Sequence, residues 1–292
     1  PNASKDEVID IFKNYEVQGW LCSPAPKYTI DKSILSFASQ LKIISTPSTG
    51  TNHINKEYCI SNNIQVQSLK GTDFVNSIYA SSEFAFSLIL AVVRKLPQAR
   101  QSVLGYQWRE VEDNFRGVEL KGKSLGIIGF GRIGSNVAKY ASAMGMNIYA
   151  YDPSAKIDPT YNSCETHEDV LKIADIVLIA VHLDKTTENM VDKTWFNKMK
   201  KNSYFINISR GEIINEDDLI IALSTNQIAG AGIDVYEKEP LPSSHKLRFL
   251  PNALLVPHIG YVTAENYSIY YNQMFENLEA CLSGKPIREI KF

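Results

Sequence analysis

The stretch that most restricts how this chain can fold is SLGIIGFGRIGSNVAKYASAMGMNIYAYD, residues 124–152. The run Ser124–Ile128 has the pattern of a buried strand and leads straight into GFGRIG. A helical pattern over Ile133–Met144 follows, and a second apolar run, Asn147–Tyr151, ends on Asp152. Each glycine has a physical job in such a unit. Gly129 permits the tight turn, Gly131 lets the backbone approach a pyrophosphate, and Gly134 lets the helix pack close to the strand. The helix N-terminus offers N–H groups and the positive end of its dipole to the phosphates. Asp152 lies about 20 residues further on, where a carboxylate accepts hydrogen bonds from the adenosine ribose. A 2′-phosphate would meet a like charge there, so the unit fits NAD better than NADP.

The alternation of short apolar runs with longer amphipathic ones continues along the chain. Strands are expected at Lys42–Ser45, Gln65–Gln67, Ser124–Ile128, Asn147–Tyr151, Ile176–Ala180, Tyr204–Ile208, Ala229–Ile233 and Ala253–Val256. The helical segments between them make this an α/β protein with doubly wound parallel sheets. The alternation occurs twice, over Asp6–Leu69 and Lys121–Val256, and 292 residues are about twice the usual domain size. The segment SSEFAFSLILAVVRKLP reads as one apolar helix stopped by Pro97, followed by a mostly polar arm, Gln98–Gly117. A Rossmann domain over 98–261 is therefore expected, inserted in a flavodoxin-like domain made of 1–97 and 262–292. The helix Ala264–Ser283 would then return to the first domain.

A net charge of −2 gives no electrostatic case for nucleic acid or for an anionic membrane surface. No apolar run is read as long enough to span a membrane, and no signal-peptide pattern opens the chain. The four cysteines, Cys22, Cys59, Cys164 and Cys281, are scattered and form no CxxC pair. Free buried thiols and a cytoplasmic location are expected. No histidine pair has zinc-ligand spacing, so no metal is expected. His53, His167 and His245 read as loop or surface residues. The chain begins at Pro1 rather than Met, which suggests a missing leading strand.

The stretch YFINISRGEI poses a separate question. A buried strand ends on Ser209, Arg210 and Gly211, and a buried cation is costly without an anionic partner. That partner is either structural, with Glu212, Glu237 or Asp234 as candidates, or a substrate. Strand-end positions help to decide. In doubly wound sheets, ligands bind outside the carboxyl ends of the strands. Arg210 follows one strand, Asp234 ends the next (GAGID), and His258 follows the one after (LLVPH). Glu239 lies in EKEP, before Pro240.

Taken together, GFGRIG, ISRG, GAGIDVYEKEP and PHIG resemble the D-isomer-specific 2-hydroxyacid dehydrogenase family. The likeness extends over nearly the whole chain, including LKIISTPSTGTNHIN. It implies an NAD-dependent enzyme that moves a hydride between the cofactor and a 2-keto acid/D-2-hydroxy acid pair. In that pattern Arg210 matches the residue that binds the substrate carboxylate and polarises the carbonyl, His258 the acid/base, and Glu239 its partner carboxylate. Glu239, directly before the proline, is selected over Glu237, which reads as a solvated neighbour. The cofactor set would comprise Gly129, Gly131, Arg132, Ile133, Gly134, Asp152, His182, Ile208, Ser209, Asp234 and Gly260. Ser48, Thr49 and Gly50 match the loop whose backbone N–H groups hold the substrate carboxylate, in the substrate (catalytic) domain.

Several positions depart from the family pattern. Ser48 replaces the usual glycine, and Tyr261 stands where most relatives carry a small residue, which would narrow the site. The stretch VHLDKTTENM after the strand that His182 ends looks short. CSPAPK replaces the Arg-Ser pair of relatives that use 3-phosphoglycerate, and no C-terminal regulatory domain is expected after Gly284. The apolar helix and the arm around Trp108 resemble the family's dimer element, so a homodimer is expected. Two other functions suit the same scaffold: an NAD(H)-sensing interaction protein, and a dehydrogenase for another donor such as formate or phosphite.

Overall fold

The computed structural model describes residues 3–24, 26–70 and 73–285. The outermost residues of the expected first domain, 1–2 and 286–292, lie outside them. The chain divides into two compact units, Pro1–Ile78 with Val262–Phe292, and Tyr79–Tyr261.

The first unit opens with α1 (Lys5–Asn14), started by a capping box between Ser4 and Glu7 and burying Val8 and Phe12. It continues through β1 (Gly19–Leu21), α2 (Lys32–Leu35), β2 (Ile43–Ser45), α3 (Lys56–Ser61) and β3 (Gln65–Gln67). The three strands pair in parallel in the order β1-β2-β3. Ile30, Ile34, Ile44 and Cys59 are fully buried in its core.

The second unit begins with α4 (Ala80–Val93) and α5 (Leu96–Leu104). Then come β4 (Ser124–Ile128), α6 (Arg132–Ala143), β5 (Asn147–Tyr151), β6 (Asn162–Ser163), α7 (His167–Ile173) and β7 (Ile176–Ile179). It ends with α8 (Lys193–Lys198), β8 (Tyr204–Asn207), α9 (Glu216–Ser224), β9 (Gly230–Ile233) and β10 (Ala253–Leu255). All seven strands are parallel, in the order β10-β9-β8-β7-β4-β5-β6. The order reverses between β4 and β7, and a ligand crevice lies outside the strand ends at such a switch point. Because the strands run one way, the residues after β4, β7, β8, β9 and β10 all gather at one edge. The last element, α10 (Ala264–Leu282), belongs to the first unit: a Cβ on Gly19 would come within 2.5 Å of Leu278.

Three expectations need correction. The sequence pattern puts the apolar helix in the first domain, with the crossing at Pro97. Its packing puts it in the second unit, because Ala85, Leu88, Ile89, Val92 and Val93 share a core with Leu125, Ile127, Val137 and Ile206. Pro97 does not stop that helix either. α4 ends at Val93, Lys95 turns the chain with φ +50°, and Pro97 sits in the first turn of α5, where its missing N–H costs nothing. Finally, Val75–Val93 does have the length and hydropathy of a membrane span. Here its buried face is part of the sheet's own core.

Burying a large apolar side chain contributes about 1.5–3 kcal/mol. Four such side chains on α4 thus contribute an amount comparable to the roughly 5–15 kcal/mol of a whole domain. A fragment of residues 79–261 is predicted to melt cooperatively, while 98–261, which lacks α4, is predicted not to. Equal melting of the two by circular dichroism would contradict this placement.

Candidate active site

Protein packing accounts for two of the three loop glycines. Gly129 has φ +95°, and a Cβ there would lie 2.5 Å from the Ala180 carbonyl oxygen. A Cβ on Gly134 would collide with the carbonyl oxygen of Gly129. A Cβ on Gly131 would meet nothing within 4 Å. Close approach of a pyrophosphate supplies the reason for glycine that packing does not. Gly131 also caps α6 without a side-chain hydrogen bond, which leaves the helix end for an anion. Arg132 and Ile133 open that helix, and Ile133 packs against the core below it.

Asp152 stands after β5, and the amides around it hold it in place. It accepts the N–H groups of Phe130 (2.7 Å), Ser154 (2.8 Å) and Ala155 (2.8 Å). Partial burial pushes its pKa up, but those amides outweigh burial and hold the carboxyl below its ordinary range. Asp152 therefore ties the glycine loop to its own turn.

At the end of β8 the chain is fixed by Asn207, which is fully buried. Its side-chain amide donates to the Arg210 carbonyl at 2.9 Å, and its side-chain oxygen accepts the Ser209 N–H at 3.0 Å. The Ser209 hydroxyl donates to the Ile179 carbonyl at 3.0 Å. Gly211 is required by close approach: any Cβ there would overlap the Tyr236–Glu237 peptide. The glycine beside the arginine thus lets the loop after β8 lie against the loop after β9. Arg210 itself donates to the Ser209 carbonyl at 2.6 Å. Among the described residues it forms no ion pair, neither with Glu212, Glu237 or Asp234 nor with Glu239. Burial lowers its pKa, and the nearby charges of Glu212 and Glu239 partly offset this.

The ring of His258 is oriented through Nδ1, which lies 2.7 Å from Glu239 Oε2. The other Glu239 oxygen accepts the Tyr236 N–H at 3.0 Å. Burial raises the Glu239 pKa, but the bonds from His258 and Tyr236 and the charges of His258 and Arg210 outweigh it. The carboxyl is held below its ordinary range, so it accepts the Nδ1 hydrogen. The His258 backbone has φ +54°, a left-handed conformation that costs a non-glycine residue about 1–2 kcal/mol. Asp234 holds it there, accepting the next two amides, Ile259 N–H at 2.8 Å and Gly260 N–H at 2.9 Å. Asp234 is only 2% exposed, and burial pushes its pKa up to about 6 despite those bonds. Gly260 is buried between Asp234 and Phe84. The Tyr261 ring meets the His258 ring edge-on, with centroids 6.1 Å apart.

His182 is exposed after β7, and its carbonyl accepts the Thr187 hydroxyl at 2.6 Å. Ile208 packs on the core beside β8. In the first unit, the Ser48 hydroxyl donates to the Gly50 carbonyl at 2.6 Å and lies 3.1 Å from Thr46 Oγ1. Among the described residues neither Thr49 nor Gly50 gives its N–H to a partner.

The three histidines read as loop or surface residues are all engaged. His53 Nε2 lies 3.3 Å from Thr46 Oγ1. His167 stacks on Trp195 at 4.5 Å. His245 pairs with Glu216 at 3.1 Å. The partners of His167 and His245 are remote in sequence, which is why spacing alone does not reveal them. Asn207 and Tyr236 are supports that no sequence motif singles out. Tyr236 buries its ring and donates to the Val256 carbonyl at 2.9 Å. The polar Asn inside the apolar strand YFIN is the one signal for the first; Tyr236 has none.

Comparison with known proteins agrees with this geometry. Residues 86–260 match the family described as D-isomer specific 2-hydroxyacid dehydrogenase, NAD binding domain. A glyoxylate reductase of Thermofilum pendens is 36% identical over 265 residues, covering 88% of this chain and 76% of that protein. A D-3-phosphoglycerate dehydrogenase of Synechocystis sp. is 34% identical over 292 residues, 98% of this chain but 50% of that protein. Among solved structures, the TT0316 protein of Thermus thermophilus superposes with TM-score 0.88 at 29% identity, covering 99% of this chain and 90% of that one. The chain belongs to the D-isomer specific 2-hydroxyacid dehydrogenase family, and NAD is its cofactor.

Gly131→Ala is predicted to fold with wild-type thermal stability and to weaken NADH binding by at least about tenfold, because only the ligand requires glycine there. Gly134→Ala, in contrast, is predicted to lose stability. NADH titration with parallel melts checks both, and unchanged affinity in Gly131→Ala contradicts the assignment. Asp234 supplies a pH test. Its folded value of about 6 lies above the ordinary 3.8, so between these the unfolded state releases a proton that the native state keeps. Relative to Asp234→Asn, the wild type is predicted to lose stability as pH rises through that window and no further above it. A difference that stays constant with pH would contradict the burial of this carboxyl.

Proposed function

We propose that the chain catalyses reversible hydride transfer between NAD(H) and a 2-keto acid/D-2-hydroxy acid pair. The observation that carries this reading is the Glu239–His258 pair at 2.7 Å, together with Arg210, a cation with no carboxylate partner among the described residues. Because Glu239 accepts the Nδ1 hydrogen, Nε2 is the atom left to exchange a proton. Bound NAD(H) supplies or accepts the hydride. In reduction His258 gives its Nε2 proton to the keto oxygen, and in oxidation it removes the hydroxyl proton. Arg210 pairs with the substrate carboxylate through two N–H groups and draws electron density from the reacting carbonyl. The N–H groups of Thr49 and Gly50, with Ser48 bracing their loop, are the proposed donors to the carboxylate. Asp152 is proposed to favour NADH over NADPH by charge repulsion of a 2′-phosphate.

Tyr261, placed edge-on to His258, limits substrate bulk in this reading, so small keto acids such as glyoxylate, pyruvate and hydroxypyruvate are favoured. The arm carries exposed Val103, Leu104, Tyr106 and Trp108, which supports a homodimer in which a second copy covers it. The free thiols support a cytoplasmic location.

The test is loss of NADH absorbance with glyoxylate, pyruvate, hydroxypyruvate, 2-ketoisocaproate and phenylpyruvate. Turnover of at least one, fastest among the small acids, is expected. His258→Ala is expected to lower kcat by at least about 10²-fold with NADH affinity retained. Tight NADH binding without turnover of any of the five contradicts the enzymatic reading and favours an NAD(H)-sensing role.

A further inference from the structure

A second carboxylate–imidazole pair lies behind the first. Glu216 opens α9, and its Oε2 is 3.1 Å from His245 Nε2. The Glu216 side chain is only 10% exposed and that of His245 22%. Its other oxygen, Oε1, accepts the Glu237 N–H at 2.9 Å. The preceding amide, Tyr236 N–H, is accepted by Glu239 Oε1 at 3.0 Å. Two successive amides of one turn are therefore held by two carboxylates, one belonging to the turn and one brought by α9. The Tyr236–Glu237 peptide of the same turn packs against Gly211. Further along, Arg248 donates to the Leu241 carbonyl at 2.6 Å and to the Pro242 carbonyl at 2.8 Å. The His245 ring has one polar partner among the described residues: Nδ1 is buried without a hydrogen bond, so Glu216 is what its Nε2 serves.

This arrangement has a consequence for His258. Residues Glu237–Pro240 are exposed, and an exposed turn frays unless its amides are tied down. Glu239 must nevertheless keep one oxygen 2.7 Å from Nδ1. The proton-transfer atom is thus placed through a relay: His245 orients Glu216, Glu216 holds the Glu237 amide, and the held turn presents Glu239 to His258. We propose that Glu216, oriented by His245, is a positioning residue that sets the Glu239–His258 geometry. The inference rests on the reading of His258 as the acid/base.

The experiment compares Glu216→Ala, Glu216→Gln and His245→Ala with the wild type in kcat, KM, NADH affinity and amide hydrogen exchange of residues 236–239. Glu216→Ala is expected to lower kcat by about 10- to 100-fold, the scale of a small misplacement of catalytic groups, with NADH affinity unchanged. Exchange in 236–239 should rise at least about tenfold, with no change in residues 129–134. Glu216→Gln keeps an oxygen for the Glu237 amide and should retain kcat within about threefold. His245→Ala should fall between the two. If Glu216→Ala does not fold, Glu216→Asp, with the charge kept and the reach shortened, replaces it with the same expected loss. Wild-type kcat in Glu216→Ala, or Glu216→Gln as impaired as Glu216→Ala, overturns the proposal, as does loss of NADH affinity in step with kcat. A wild type inactive on every keto acid overturns the underlying function instead. Unchanged exchange in 236–239 then overturns the clamp independently of turnover.

Discussion

His258 holds a left-handed backbone conformation because Asp234 accepts the N–H groups of the two residues that follow it. The conformation costs about 1–2 kcal/mol. Each amide bond to a carboxylate contributes about 1.5–3 kcal/mol before the cost of burying Asp234 is counted, so the two bonds are of the size needed to hold the strained conformation. The same two bonds join the end of β9 to the turn after β10, where the imidazole meets Glu239. Burial alone would have kept Asp234 neutral through the weakly acidic range, and the amides limit that tendency. The most strained residue of the site is thus its central one, and its neighbour in the sheet holds it in place.

Around that anchor, charge is kept in separate contacts. Glu239 is committed to His258 and to the Tyr236 amide, Asp234 to Ile259 and Gly260, and Glu216 to His245 and the Glu237 amide. Each of these three carboxylates has its own partners, and Arg210 donates to a carbonyl of its own loop. A guanidinium stays charged even when burial lowers its pKa. A cation kept this way, at the end of a central strand of a Rossmann sheet, suits an anionic substrate better than a structural ion pair.

Much of this was legible in the chain. The strands that form the second unit's sheet stand out as short apolar runs bounded by turns, all but β6, whose two residues Asn162 and Ser163 are exposed and polar. β1, with only Gly19–Leu21, is too short to register. Arg210 and His258 stand out because each follows a strand of the same sheet, whereas Glu239, in the loop beyond β9, is selected only by its place before the proline in the family pattern. The allegiance of α4 could not, since a helix apolar on nearly every face carries no periodicity that names its partner. The role of Gly211 was hidden for a related reason: the peptide that excludes a side chain there lies 25 residues later, between Tyr236 and Glu237. The partners of His167 and His245 are separated from them by 28 and 29 residues in the sequence. Local pattern reports the period of an element; which loops meet is decided by the order of strands in the sheet.

The central claim is that His258, Glu239 and Arg210 serve a direct hydride transfer to the second carbon of a keto acid. The most direct measurement uses NADH carrying deuterium at both positions of the nicotinamide C4, with pyruvate or hydroxypyruvate as acceptor. Mass spectrometry and chiral analysis of the product are predicted to show one deuterium at C2 and the D configuration. A hydroxy acid without deuterium, or of the L configuration, would contradict the account.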